Sequence, residues 1–248
     1  MSKSYGLFKI INDNSGSGSN GSRLFDVQFI DTGYIATRVR KDHIKDGHIK
    51  DHSYMDVVGK TFTSKNYGDF KVLYEVRRTS HNIRYKIEFI KTGFQTEAWL
   101  NNIRQGEIID PLYPKVRGVG YLGLEYDKIR KQDRELYNAL KSKWSSMLNR
   151  CYNEKYVSYH LYGGNNICVD ERWHNFCNFY NDVQTLHGFN REDIINCNGI
   201  HLDKDLKQID VSKNKRIYSK DTCTWLKPNE NILICKYEQL MSKHEQNE

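Results

Sequence analysis

Proline is scarce in this chain, at 3 of 248 residues, while 12% of the residues are aromatic. That balance is hard to reconcile with an unfolded polymer. Long apolar runs are missing too. Mean hydropathy is −0.77, and no window approaches the roughly 18 uncharged apolar residues of a membrane helix, which excludes a multi-pass membrane protein. The first residues, MSKSYGLFKII, carry no apolar signal core, so a cytoplasmic location is expected. No CxxC pair occurs. The six cysteines (Cys151, Cys168, Cys177, Cys197, Cys223 and Cys235) all fall in the second half. They read as scattered core thiols of a reducing compartment, not as a disulfide framework. A zinc site drawn from Cys151, His160, Cys168 and Cys177 is the competing reading, and the absence of close ligand pairs weighs against it. A phosphate loop is missing as well: Gly163-Gly164 lacks the further glycine and the Lys-Ser/Thr that such a loop needs.

What is present begins with charge. Lys plus Arg is 38 against 31 Asp plus Glu, a formal net charge of +7. A modest basic excess is compatible with nucleic acid and does not require it. The length allows one large domain or two to three small ones at roughly 150 residues per domain.

The first half repeats itself. Val27-Gln28-Phe29-Ile30-Asp31-Thr32-Gly33-Tyr34 recurs as Ile87-Glu88-Phe89-Ile90-Lys91-Thr92-Gly93-Phe94. Upstream, Tyr5-Gly6-Leu7-Phe8-Lys9-Ile10-Ile11 recurs as Tyr67-Gly68-Asp69-Phe70-Lys71-Val72-Leu73. Downstream, the block from Ile44 to Asp51 recurs from Ile103 to Asp110. Order and spacing are kept, which points to a duplication. Phe25, Val27 and Phe29 alternate with polar residues, as do Tyr85, Ile87 and Phe89, the period of a half-buried strand. Thr32-Gly33 and Thr92-Gly93 are the expected turns. The Gly/Ser-rich run at Gly16–Ser22 reads as a hairpin loop inside the first repeat. Two small curled sheets or barrels are expected, at residues 1–64 and 65–124. Arg38, Arg40, Lys41, His43 and Lys45 in one repeat, and Arg77, Arg78, His81 and Arg84 in the other, are candidate phosphate contacts. A solvated face of an ordinary β-module is the alternative.

From Leu136 the period changes. Leu136, Leu140, Trp144, Met147, Leu148 and Cys151 share one helical face. A second stripe is Trp173, Phe176, Cys177, Tyr180 and Val183, with Asp170 as the expected N-cap. The most informative stretch is Ile200–Ile234. His201-Leu202-Asp203-Lys204-Asp205 reads as a strand ending in carboxylates. Asn214 to Trp225 reads as a second strand or extended loop; Lys215 and Arg216 within it, and Lys213 just before it, are further candidate phosphate contacts. Pro228 suits the first turn of a helix, with Ile232, Leu233, Leu240 and Met241 on an apolar side. Asp203 and Asn231 offer hard oxygen ligands suited to Mg²⁺, which could hold a phosphodiester.

These residues carry a resemblance. From Asp110 onward, about half of the chain, the sequence resembles the HNH-type (ββα-metal) homing endonuclease-like proteins of bacteriophages. The carrying segments are Asp110-Pro111, Gly118 to Gly123, Trp144 to Tyr152, Trp173-His174-Asn175-Phe176, Leu202 to Asp205, Tyr218 to Cys223 and Asn231. The upstream repeats also look like modules that accompany this family. The resemblance implies an α+β fold: two small β-rich modules, a helical middle and a C-terminal ββα unit within residues 125–248, its motif at about 200–234. It implies that Asp203 and Asn231 are ligands of Mg²⁺ or another divalent cation, with Asp205 a further ligand. Lys204 stands where active members usually have the general-base histidine, and Thr222 where they have the loop-pinning asparagine. A lysine is a poor base near neutral pH unless strongly desolvated, so His201 or a metal-bound water is the expected substitute base.

Two functions follow as expectations. One is metal-dependent nicking or cleavage of duplex DNA in an infected bacterial cytoplasm. The other is a degenerate site in a protein that binds DNA or a host protein, as a regulator or host-defence antagonist, without cutting. A third reading, RNA binding on small β-barrels, rests on aromatic stacking.

Overall fold

In the computed structural model, the described residues are 7–14, 23–30, 33–49, 51, 57–79, 83–196 and 199–245, excluding the side chains of 78, 235, 238, 239 and 241–245. The Gly16–Ser22 run, Asp31-Thr32, His81 and Cys197 therefore lie outside the description, as do the side chains of Arg78, Cys235 and Met241. The fold is mixed α+β, with small sheets, mostly antiparallel, followed by helices. The chain divides into two compact units. The first holds Met1–Phe62, Phe70–Glu88 and Thr96–Leu100; the second holds Thr63–Asp69, Phe89–Gln95 and Asn101–Glu248.

In the first unit, β1 (Phe8–Asp13), β2 (Leu24–Phe29) and β3 (Ile35–Arg40) form an antiparallel sheet of order β1-β2-β3. Helix α1 (Lys41–Lys45) follows. On β2, Phe25, Val27 and Phe29 are buried, as their alternation predicts. Val27, Phe29 and Ile49 form a small core, joined by Phe8, Tyr34, Ala36, Val39 and Ile44. A four-stranded sheet has the order β4 (Thr61–Ser64), β5 (Gly68–Arg78), β6 (Ile83–Phe89), β7 (Gln95–Trp99). On β6 the alternation is complete: Ile83, Tyr85, Ile87 and Phe89 are buried and the residues between them are not. Helix α2 (Leu100–Gln105) follows β7.

The backbone bonds at the β2 turn recur at the β6 turn. Phe29 N–H donates to Tyr34 O and Gly33 N–H to Phe29 O; Phe89 N–H donates to Phe94 O and Gly93 N–H to Phe89 O. Gly33 and Gly93 have φ of 70° and 69°, a left-handed conformation that only glycine adopts without strain.

The second unit carries the larger core. Helices α3 (Tyr126–Gln132), α4 (Arg134–Tyr152), α5 (Phe176–Val183) and α6 (Arg191–Ile195) contribute to it. All six apolar-stripe residues of α4 are buried. Asp133 caps α4 by accepting from Leu136 N–H at 3.0 Å, and its carboxylate also pairs with Arg191 at 2.8 Å. The Trp144 indole donates to Trp173 O at 2.6 Å. The second stripe is buried as well, but it is not one helix. Asp170 caps a 3₁₀ turn, Glu171–His174, and Asn175 caps α5 by accepting from Cys177 N–H. The expected single cap at Asp170 is thus corrected: the chain changes direction at Asn175, which has extended φ and ψ. Parallel strands β8 (Cys168–Val169) and β10 (Ile217–Tyr218) pair, as do antiparallel β9 (His201–Asp203) and β11 (Thr224–Leu226). Helix α7 (Pro228–Glu245) closes the chain. Ile232, Leu233 and Leu240, read as its apolar side, are exposed.

Candidate metal and nucleic-acid site

Asp203 ends β9 opposite Thr224 of β11. Trp225 of β11 is anchored through its indole N–H to Val183 O at 2.8 Å and its backbone N–H to His187 O at 3.0 Å. Lys227 then leads into α7. Pro228 opens that helix, and Lys227 N–H donates to Glu230 Oε2 at 2.7 Å, as in a capping box.

The Asp203 carboxylate is buried. Its Oδ1 accepts the backbone N–H groups of Asp205 and Leu206 at 2.9 and 2.8 Å. Burial pushes this carboxyl above the ordinary range. The neighbouring Asp205 charge adds to the rise, and the two backbone bonds and Lys204 work against it.

Lys204 is 4% exposed. Its ammonium donates to both oxygens of Asp205, at 2.7 and 2.8 Å. Arg216, also buried, donates from Nη1 to Asp205 Oδ1 at 2.8 Å and from Nε to Val211 O at 3.0 Å. Burial alone would raise the Asp205 carboxyl. The Lys204 charge and the hydrogen bonds from Lys204 and Arg216 outweigh it and hold Asp205 below the usual range. The Lys204 ammonium also lies 5.1 Å from the Tyr162 ring and 5.4 Å from the Tyr218 ring. Arg150 sits over the same two rings, at 4.8 and 5.5 Å.

Thr222 pins its loop. Its Oγ1 accepts from Ser219 N–H at 3.0 Å and donates to Ile217 O at 2.7 Å. Gln208 does the same on the facing segment. Its Nε2 donates to Lys204 O at 2.6 Å and Ile217 O at 3.0 Å, and its Oε1 accepts from Ile217 N–H at 3.1 Å. Asn231 lies in the first turns of α7, partly exposed, and His201 is exposed at the start of β9.

Two expected roles need correction. Asp205 is not an open ligand, because two cations already occupy its carboxylate. Arg216 is not a surface phosphate contact, because its guanidinium is turned inward to Asp205 and Val211. Lys213 and Lys215 are exposed on the 3₁₀ turn Lys213–Lys215. In the first unit Lys41 and Arg77 are exposed, Arg40 pairs with Asp42 at 2.7 Å, and Arg84 pairs with Glu97 at 3.0 Å beneath the Trp99 ring. Arg38 is exposed with φ of 56°. Reading the sequence missed Gln208, Arg150, Tyr162 and Tyr218 as parts of the site. Arg150 and Tyr218 lay within segments that carried the resemblance; nothing marked Gln208 or Tyr162 as part of a site.

The divalent cation that the resemblance implies would draw on Asp203 and on the Asn231 amide. Both offer hard oxygens, and Mg²⁺ completes its octahedron with water and phosphate. Among the described residues, no three of His, Cys, Asp and Glu gather as a ligand group. No protein-family model matches the chain, and no curated protein or solved structure shows a significant match to it.

Proposed function

We propose that this chain is a DNA-binding protein of HNH-like, ββα-metal build in which strand cleavage is disabled. The observation that carries the proposal is the closed network of Lys204, Asp205 and Arg216. A general base must reach a water or hydroxyl with an open lone pair. The group at that position is instead a buried ammonium held by a carboxylate and two aromatic rings. Strands β9 and β11 with helix α7 are the proposed ββα unit. The loop-pinning role implied for asparagine is filled by Thr222, assisted by Gln208. The sheets bearing the Gly33 and Gly93 turns are, on this proposal, duplicated modules that contact duplex DNA through Lys41, Arg77 and the exposed cations around them. Lys213 and Lys215 add phosphate contacts beside the motif.

A second reading has its own observation. His201 is exposed, two residues before Asp203 on the same strand. On that reading Asp203 and Asn231 hold Mg²⁺ and His201 does the base work, giving a slow nickase.

One experiment separates them. Supercoiled plasmid and host genomic DNA are incubated with protein and Mg²⁺ or Mn²⁺, beside Asp203→Ala and His201→Ala, with gel shifts on the same DNA. A salt-sensitive shift without nicking is expected, because phosphate contacts release counterions. Metal-dependent nicking lost in both variants would install the nickase reading instead. No shift at low salt would remove DNA as the partner.

A further inference from the structure

A separate cavity of about 300 Å³ lies in the second unit, between the segment around Lys115 and helix α4. That volume is at the small end for ligand pockets. Tyr67, Tyr113, Tyr121, Lys115, Arg117 and Lys141 are among its walls, and among the described residues no carboxylate lines it. We infer that this pocket binds a single nucleotide, with the phosphate among Lys115, Arg117 and Lys141 and the base against the tyrosine rings. The inference deepens the nucleic-acid reading and rests on it only for the source of the nucleotide, a strand in place of the free compound.

Three observations carry it. The first is charge without a counter-charge. Lys115 rests on the Tyr67 ring at 5.0 Å and Lys141 on the Tyr137 ring at 5.5 Å. Among the described residues, neither pairs with a carboxylate. Burial, together with Lys115 and Arg130, pushes the Lys141 ammonium below its ordinary value. A bound phosphate would relieve that repulsion.

The second is the backbone that presents Arg117. Val116 and Gly120 exchange both backbone hydrogen bonds, at 2.9 and 2.8 Å. Of the three residues between them, the two central to the turn, Arg117 and Gly118, have φ of 53° and 77°. Glycine fits such a turn, but arginine does not adopt this conformation without strain. A strained residue kept in the wall of a cavity points to a role for its side chain. Arg117 Nε also donates to Asn149 Oδ1, which fixes the guanidinium direction.

The third is the aromatic wall. Tyr67 and Tyr113 meet edge to face, with centroids 6.3 Å apart and planes at 83°. Stacking on such rings is tolerant of base identity.

The test uses the full chain and isothermal titration with thymidine 5′-monophosphate, a short thymidylate strand, blunt duplex DNA and inorganic phosphate. The variants are Lys115→Gln with Lys141→Gln, and Arg117→Gly. Each removed charge contact should weaken mononucleotide and strand binding about tenfold. Arg117→Gly should keep or raise the melting temperature while losing affinity, because glycine accepts the left-handed conformation. A merely structural arginine would not separate those two readouts. Duplex binding with no mononucleotide or strand binding, or variants that bind like wild type, would overturn the pocket and leave the DNA reading standing. Variant-sensitive nucleotide binding without duplex binding would keep the pocket and overturn the DNA reading. Inorganic phosphate binding as tightly as the mononucleotide would overturn the base contact.

Discussion

The ammonium of Lys204 is held by its own neighbour in sequence, Asp205, whose two oxygens lie 2.7 and 2.8 Å away. Adjacent residues on an extended strand point to opposite faces. These two meet because the chain leaves β9 at Asp203 and turns into the 3₁₀ segment Leu206–Gln208. Asp203 drives that turn by accepting the backbone N–H groups of Asp205 and Leu206.

Asp205→Ala should therefore be far more damaging than a surface substitution. It leaves Lys204 and Arg216 buried without their counter-charge. Removing one partner of a buried pair typically costs about 3–5 kcal/mol. Urea denaturation at neutral pH should show the loss as a lower midpoint with little change in slope; a change under about 1 kcal/mol would refute the network.

Asp203→Asn and Asp203→Ala should separate. Asparagine keeps an oxygen for the Asp205 and Leu206 N–H groups and removes a buried charge, so folding stability at neutral pH should rise. Alanine loses the cap, at about 1–2 kcal/mol. Melting curves of the two variants beside wild type decide it. Equal destabilisation by both would mean that the buried charge carries no cost.

Asp182 sets an acid limit. Burial would raise its carboxyl, but hydrogen bonds from Arg172 and Trp173 and the charges of Arg172 and Lys220 hold it below the ordinary value. Its folded pKa lies below the unfolded value of about 3.9. The stability it contributes is present above pH 4 and is lost as pH falls through the folded value. Unfolding free energy should drop below pH 4 in wild type and drop less steeply in Asp182→Asn. Parallel pH profiles would exclude Asp182 as the cause.

Thiol chemistry should be uneven. Burial pushes Cys151 and Cys223 up to about 12 and Cys177 up to about 11, so thiolate is scarce at pH 8. Cys168 is exposed. Iodoacetamide on the native protein, read by peptide mass mapping, should modify Cys168 well before the other three. Prior labelling of Cys151 or Cys223 would show that their surroundings open readily.

Gly188→Ala tests the packing behind β11. Gly188 has φ of 80°, and an added Cβ would collide with the Trp225 carbonyl oxygen. Backbone on both sides leaves no flexible group to yield, so a loss of at least about 2 kcal/mol is expected in urea denaturation. A neutral outcome would mean that the His187–Trp225 pairing is loose.

Periodicity made some of this legible in the sequence. The alternation of Val27 and Phe29, and of Tyr85 and Ile87, gave buried strand faces. The stripe from Leu136 to Cys151 gave the buried face of α4. Periodicity cannot see β8 or β10, because two-residue strands have no period to detect. It also cannot see the break at Asn175, where an apolar stripe continues across a change of direction. The site was harder still. Lysine and arginine are almost never fully buried unless paired, so Arg216 read as a phosphate contact and Lys204 as a residue at the base position, and neither as half of a buried pair. The rings that receive Lys204 lie 42 residues before it and 14 after it in the chain, beyond any local pattern. The short spacing of Asp203, Lys204 and Asp205 was visible, but not that the middle residue turns inward.

The shared grip of Lys204 and Arg216 on one carboxylate also bears on how the site could be reopened. On the function proposed above, a histidine restored at position 204 would not by itself open the site. Histidine at position 204 would shorten the side chain, abandon Asp205 to Arg216 alone, and leave the Tyr162 and Tyr218 faces to Arg150. The buried groups around position 204 would have to change with it, because Arg216 and Asp205 are buried together. Such an interlock works as a ratchet: once formed, each member holds the others in place, since removing any one leaves a buried charge or a ring face uncompensated.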